Sequence, residues 1–168
     1  MKLQRIFFLI LVLLSAVQIA HFYPLMPGRM ASHYNAAGKA NGWMPRDGFF
    51  VVYLLLLGLM SVMFHLMPKG MLKFPDSMIN LPNKAYWLSP GHRAETGAII
   101  EQYMAAAGNA TIAFLLVVFH LVFSANLEQG GRLPDWMMLL VAGFVVVLAG
   151  WSIAFIRAFN LPPGAKAP

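Results

Sequence analysis

The sequence predicts an all-α membrane protein, a four-helix transmembrane bundle with an ordered outer loop between helices 1 and 2. Composition is the first reason: 60% of the 168 residues are hydrophobic and 11% are charged, where a soluble domain carries about a quarter charged residues. The second is that four apolar runs, at about 6–23, 49–67, 104–126 and 136–156, approach or reach the length a helix needs to cross the hydrocarbon layer. The third is that polar, turn-forming residues gather between those runs, above all in the stretch from Pro24 to Phe50. There is no repeat of fixed period, no low-complexity tract and no long linker, so residues 1–168 are expected to form a single membrane domain.

The first run follows Lys2 and Arg5 and resembles a secretory signal in its flanking charge and apolar centre. A cut after Ala20 would put Gln18 where a small residue is required, so a retained helix is expected, ended by Tyr23 and Pro24. The second run carries no formal charge and stops at Pro68, Lys69 and Gly70. Ser89 and Pro90 form a helix-start signal ahead of the third run, and Tyr86 with Trp87 is expected at the bilayer interface, where amphipathic rings are favoured. Gly130, Gly131 and Pro134 supply the turn before the fourth run. Within the Pro24–Phe50 stretch, Gly38 and the Asn41–Gly42 pair are expected to make the turns.

Four spans place both termini on one side. Eight of the twelve Lys and Arg residues, from Lys2 and Arg5 through Lys69, Lys73, Lys84 and Arg93 to Arg157 and Lys166, fall on the side of the termini. By the positive-inside rule both termini are then cytoplasmic and the Pro24–Phe50 loop lies outside. The net charge of +6 is accounted for by this asymmetry, so no nucleic-acid partner is expected. The absence of cysteine removes disulfides, thiolate metal sites and cysteine nucleophiles.

Polar side chains inside a bilayer mark helix contacts or function, because lipid offers them no partner. Asn109 and His120 are eleven positions apart, which at 100° per residue returns to nearly the same direction, so both are expected to face the bundle interior. Gln18 and His21 are neighbours on the first helix, and Gly58, Val62 and His65 share a face of the second. Gly143, Gly150 and Ala154 form a small-residue stripe on the fourth helix, which with Gly58 suits close helix packing. Gln18, His21, Asn109 and His120 are therefore a candidate intramembrane polar or metal site, and two imidazoles from facing helices could hold haem or a metal. The simpler expectation is that these groups satisfy one another or backbone carbonyls, with no cofactor. No carboxylate stands beside an outer histidine, and Ser15, Ser61 and Ser124 are isolated in apolar runs, where they bond back to their own helix. No catalytic residues are assigned and no enzyme is expected.

In the loop, Leu25, Pro27, Arg29, His33, Asn35, Ala36, Gly38 and Gly42, within LMPGRMASHYNAAGKANGW, make a pattern that resembles a bacterial membrane family of unknown function, typified by the amino-terminal part of the Sdp toxin immunity protein. The segment INLPNKAYWLSPGHRAET is similar to one in uncharacterised proteobacterial members. The chain departs from the immunity protein in ending after four spans and in carrying NLPNKAYWL in its second loop. The resemblance implies an integral bacterial inner-membrane protein with a structured outer loop. Arg29, His33, Asn35, Gly38 and Gly42 are the candidate ligand-binding or loop-structuring residues. The expected function is a ligand- or peptide-binding, immunity-like or sensory membrane protein. The alternatives are an accessory subunit of a larger membrane complex, with a membrane-protein partner or a second copy on helix 4, and a haem- or metal-binding protein using His21 and His120.

Overall fold

The computed structural model describes residues 2–128 and 131–161; Gly130 of the expected turn and Lys166 of the charge count lie outside them. The chain runs α1 (Lys2–Phe22), β1 (Arg29–Tyr34), β2 (Ala40–Pro45), α2 (Arg46–Ser61), a π-helical turn (Val62–Leu66), α3 (Met67–Gly70), α4 (Lys84–Trp87), α5 (Arg93–Leu127) and α6 (Met137–Ala158). Four helical stretches, Lys2–Leu25, Arg46–Lys73, Arg93–Leu127 and Met137–Ala158, are long and apolar enough to cross a bilayer. This is an all-α, multi-pass membrane protein in contact with lipid, with one small sheet added. At 35 residues, α5 extends about 52 Å and projects beyond the hydrocarbon layer of about 30 Å.

Lipid removes the usual reason to bury apolar groups, and the core is correspondingly concentrated at the two ends of the bundle. Beneath the sheet, Phe22, Phe49, Phe50, Tyr53 and Phe123 pack with Met30 of β1. The rings of Phe50 and Phe123 stack at 5.2 Å, and those of Tyr53 and Phe119 at 3.8 Å. The other end is closed by Ile79, Leu81, Trp87, Leu88, Ile100 and Phe159. Trp87 is therefore a core residue and not an interfacial anchor. Its indole Nε1 donates to the Phe159 carbonyl at 2.8 Å, and Asn83 Nδ2 donates to the same oxygen at 2.9 Å. The last carbonyls of a helix have no partner within it, and these side chains supply donors just beyond the end of α6.

Three further expectations change. Ser89 does not cap the third membrane helix. Its hydroxyl donates to Tyr86 at the end of α4, 2.7 Å away, and α5 starts only at Arg93. Gly58 does not serve close helix packing: nothing lies within 4 Å of a Cβ at Gly58 and Val62 is exposed, while the His65 ring lies against Phe8, centroids 4.0 Å apart and tilted by 31°. The π-helical turn supplies the reason, since its wider winding rotates the residues beyond Ser61 out of α-helical phase. Finally, Gly143 and Gly150 meet no atom within 4 Å, and Ala154 is exposed beside them. The stripe faces away from the bundle, because α6 attaches through its aromatic side instead. Phe114 stacks on Phe144 at 4.0 Å, and Trp151 Nε1 donates to the Tyr103 carbonyl at 3.0 Å.

Candidate functional site

The stretch between α1 and α2 is an antiparallel hairpin, with Met30 opposite Met44, Ala31 opposite Trp43 and His33 opposite Gly42. Its tight turn is at Asn35–Gly38, and Asn41 and Gly42 lie within β2; the expected Asn41–Gly42 turn is displaced because Asn35 builds a better one. The Asn35 Oδ1 accepts from the backbone N–H of Ala37 and of Lys39, each at 3.0 Å, and Gly38 N donates to the Asn35 carbonyl at 2.9 Å. Such side-chain-to-backbone bonds are what favour asparagine in turns. Gly38 has φ of +72°, and a Cβ there would lie 2.8 Å from the Leu133 carbonyl oxygen. A Cβ on Gly42 would lie 2.9 Å from the His33 Cβ across the ladder. His33 hydrogen-bonds to the Asn41 side chain. His33, Asn35, Gly38 and Gly42 are thus brought together in one small device that fixes the hairpin's shape. Arg29 stands apart, exposed at the hairpin's base opposite Pro45.

Two latches hold the hairpin on the bundle, and both use residues outside the sequence pattern. At the last turn of α5, Asn126 Oδ1 accepts from Ala31 N at 2.7 Å while its Nδ2 donates to the Ala31 carbonyl at 3.1 Å. The side-chain amide stands in for a neighbouring strand on the free edge of β1. The same Nδ2 lies 3.2 Å from Tyr34 Oη. Burial pushes the Tyr34 phenol above its ordinary pKa, and the Asn126 hydrogen bond opposes that shift. The second latch joins the two connecting segments: Leu133 N donates to the Gly38 carbonyl at 2.9 Å, and the Arg132 side-chain Nε donates to the Ala37 carbonyl at 3.2 Å. At the hairpin's base, Arg46 lies over the Tyr23 ring at 4.5 Å, and Tyr23 Oη donates to Asp47 at 3.0 Å.

Between the hairpin turn and the start of α6 these latches enclose a cavity of about 220 Å³, lined by Tyr34, Asn35, Gly38, Asp135, Met137 and Val141 among others. Its walls join the two connecting segments at this end of the bundle. Asp135 is paired with Arg132 at 2.5 Å.

Of the four intramembrane polar residues, Gln18, His21 and His120 line one open groove, and Asn109 lies apart. Gln18 is buried between helices, where its Nε2 donates to the Leu116 carbonyl at 2.9 Å and its Oε1 accepts from Tyr53 Oη at 2.7 Å. Asn109 is buried lower down, donating to the Gln4 side chain at 2.7 Å and to the Gln4 carbonyl at 3.0 Å. His120, expected to face inward with Asn109, is exposed, as is His21. Phe22 takes the interior position at that level, with the His120 ring edge-on to it at 5.4 Å and the His21 ring edge-on at 4.9 Å. The two imidazoles border one open groove with Phe22 between them, and His33 is engaged in the hairpin. Among the described residues, no three His, Asp or Glu side chains are grouped closely enough to hold a metal ion. Ser15 and Ser61 bond back to Leu11 and Leu57, one turn earlier. Removing the Gln18–Tyr53 bond by Gln18→Leu and Tyr53→Phe is expected to show a coupling of about 0.6 kcal/mol in a double-mutant cycle; additive effects on unfolding in bilayers would contradict the contact.

Sequence reasoning missed Asn126, Tyr53 and Gly108. Asn126 is a lone amide at the end of an apolar run, and Gly108 sits in the small-residue segment AAAGNA; those were the available signals. Residues 10–57 match a family model described as a domain of unknown function (DUF1648). The match takes in the second half of α1, the whole hairpin and most of α2. No curated protein matches the chain, and no solved structure does.

Proposed function

We propose that this is a multi-pass inner-membrane protein, with both termini in the cytoplasm, whose hairpin end binds a peptide or small ligand on the outer side in an immunity-like or sensory role. The observation that carries this reading is the cavity between the hairpin turn and the head of α6. Two separate connecting segments are latched to each other around it, where simple loops would satisfy the need to join helices. The resemblance to the Sdp immunity family rests in part on His33, Asn35, Gly38 and Gly42, which shape this hairpin. A second reading, an accessory subunit, is supported by the open small-residue face of α6 at Gly143 and Gly150.

The chain lacks cysteine, so single-cysteine variants can carry a photo-reactive group without background. At Ala37 or Met138 this group is expected to capture a peptide or small ligand in intact cells, while at Val146, 71% exposed on α6, it captures lipid. Capture of a protein at Val146 with nothing at Ala37 or Met138 would replace the ligand reading by the subunit reading.

A further inference from the structure

At the end of the bundle opposite the hairpin, a cavity of about 250 Å³ opens between α1, the π-helical turn and α5. Apolar side chains, Phe8 and Phe64 among them, form its walls, and Arg5, Lys69 and Glu101 bring charge to it. The π-helical turn creates the space. It places His65 against Phe8 at 4.0 Å and brings the π segment within touching distance of Gly108, where a Cβ would lie 2.8 Å from His65 Nε2. A π-turn interrupting an α-helix often accompanies a functional site.

Unpaired charge of both signs gathers at this cavity. Arg46, Arg93 and Arg132 each have an acidic partner, in Asp47, Asp76 and Asp135. Arg5, Lys69 and Glu101, like several charged residues elsewhere, have no ion-pair or side-chain hydrogen-bond partner among the described residues, but these three line one cavity. Two cations and one carboxylate around an apolar-walled opening between membrane helices match a headgroup that carries both a phosphate and an ammonium. The adjoining surface suits the remainder of such a molecule: Leu9 and Leu66 line the same cavity and are 63% and 57% exposed, giving acyl chains an apolar path outward.

We propose that this cavity is a specific site for an amine-bearing phospholipid of the phosphatidylethanolamine type, with its phosphate on Arg5 and Lys69 and its ammonium on Glu101. Basic pockets between membrane helices are a general means of holding phosphate headgroups. The carboxylate adds selection against headgroups that lack an amine. The proposal is independent of ligand binding at the hairpin end.

The test is lipid titration of delipidated, detergent-purified protein read by native mass spectrometry, using dioleoyl phosphatidylethanolamine, dioleoyl phosphatidylglycerol and free phosphoethanolamine. The first equivalent of the ethanolamine lipid is expected to bind about tenfold more tightly than the glycerol lipid. Arg5→Gln with Lys69→Gln is expected to weaken both lipids by about tenfold or more. Glu101→Gln is expected to remove the preference without weakening the glycerol lipid, and this single change keeps the test sharp if the double variant unfolds. Equal binding of the two lipids by the wild-type protein, or a Glu101→Gln variant that keeps the preference, would overturn the proposal. Competition by free phosphoethanolamine at the concentration of the lipid would assign the site to a soluble headgroup and overturn it as a lipid site.

Discussion

Gly108→Ala is expected to destabilise the bundle by about 2 kcal/mol or more, although alanine is the better helix former by about 1 kcal/mol. The added Cβ would lie 2.5 Å from the Phe64 Cβ and 2.8 Å from His65 Nε2. The Phe64 Cβ is attached directly to the backbone, so relief requires moving the π-helical turn away from α5 and not merely turning a side chain. Gly143→Ala and Gly150→Ala provide the contrast. No atom stands within 4 Å of either added methyl, so each is expected to be neutral or to gain up to about 1 kcal/mol in the isolated protein. Unfolding of the three variants in matched bilayers checks the ordering, and a Gly108→Ala protein as stable as wild type would show that the close crossing is absent. Loss of a co-purifying protein in Gly143→Ala, with the isolated protein unharmed, would point to the subunit reading.

Asn126→Ala is expected to release the hairpin from the bundle. One side chain supplies the acceptor for Ala31 N, the donor for the Ala31 carbonyl and a donor to Tyr34 Oη. Ala31 is 4% exposed, so water does not readily replace these partners. Leaving a buried amide unpaired costs about 1–3 kcal/mol, and an opening made easier by about 3 kcal/mol raises local exchange by about 100-fold. Hydrogen exchange of β1 is therefore expected to accelerate by that order in the variant, with the centre of α5 unchanged. Asn126→Asp retains the acceptor and loses the donor bonds to the Ala31 and Val122 carbonyls, so it should fall between alanine and wild type. A β1 whose exchange is indifferent to Asn126→Ala would show that the hairpin is held by other contacts.

The number and order of the membrane helices were legible because lipid imposes a length and an apolarity that composition reports directly. Gly38 was legible as a turn residue and Asn35 as a loop-structuring one because turn chemistry is local, although the turn itself falls at Asn35–Gly38 and not at Asn41–Gly42. What was not legible is non-local. The sequence does not show that the Asn126 amide meets Ala31, ninety-five positions away, since an asparagine at a helix end equally suits a water-exposed cap. Helical phase failed beyond Ser61 because the π-helical turn breaks the 100° step on which it depends. His120 was placed inward by the same arithmetic, which gives a direction on α5 but not the position of Phe22, whose ring occupies the interior at that level. Trp87 follows the same lesson. Its neighbours Tyr86 and Lys84 suggest a headgroup contact, whereas the need of the Phe159 carbonyl for a donor draws the indole into the core.

The two connecting segments at the hairpin end are held as one rigid cap latched to α5. Residue-resolved hydrogen exchange of the wild-type protein in lipid nanodiscs tests it most directly. The amides of Ala31, Lys39 and Leu133, which donate to Asn126, Asn35 and Gly38 respectively, are predicted to be protected together and to a common degree. Exchange of Leu133 or Ala31 at the rate of an unstructured loop would show that the two segments do not form one cap.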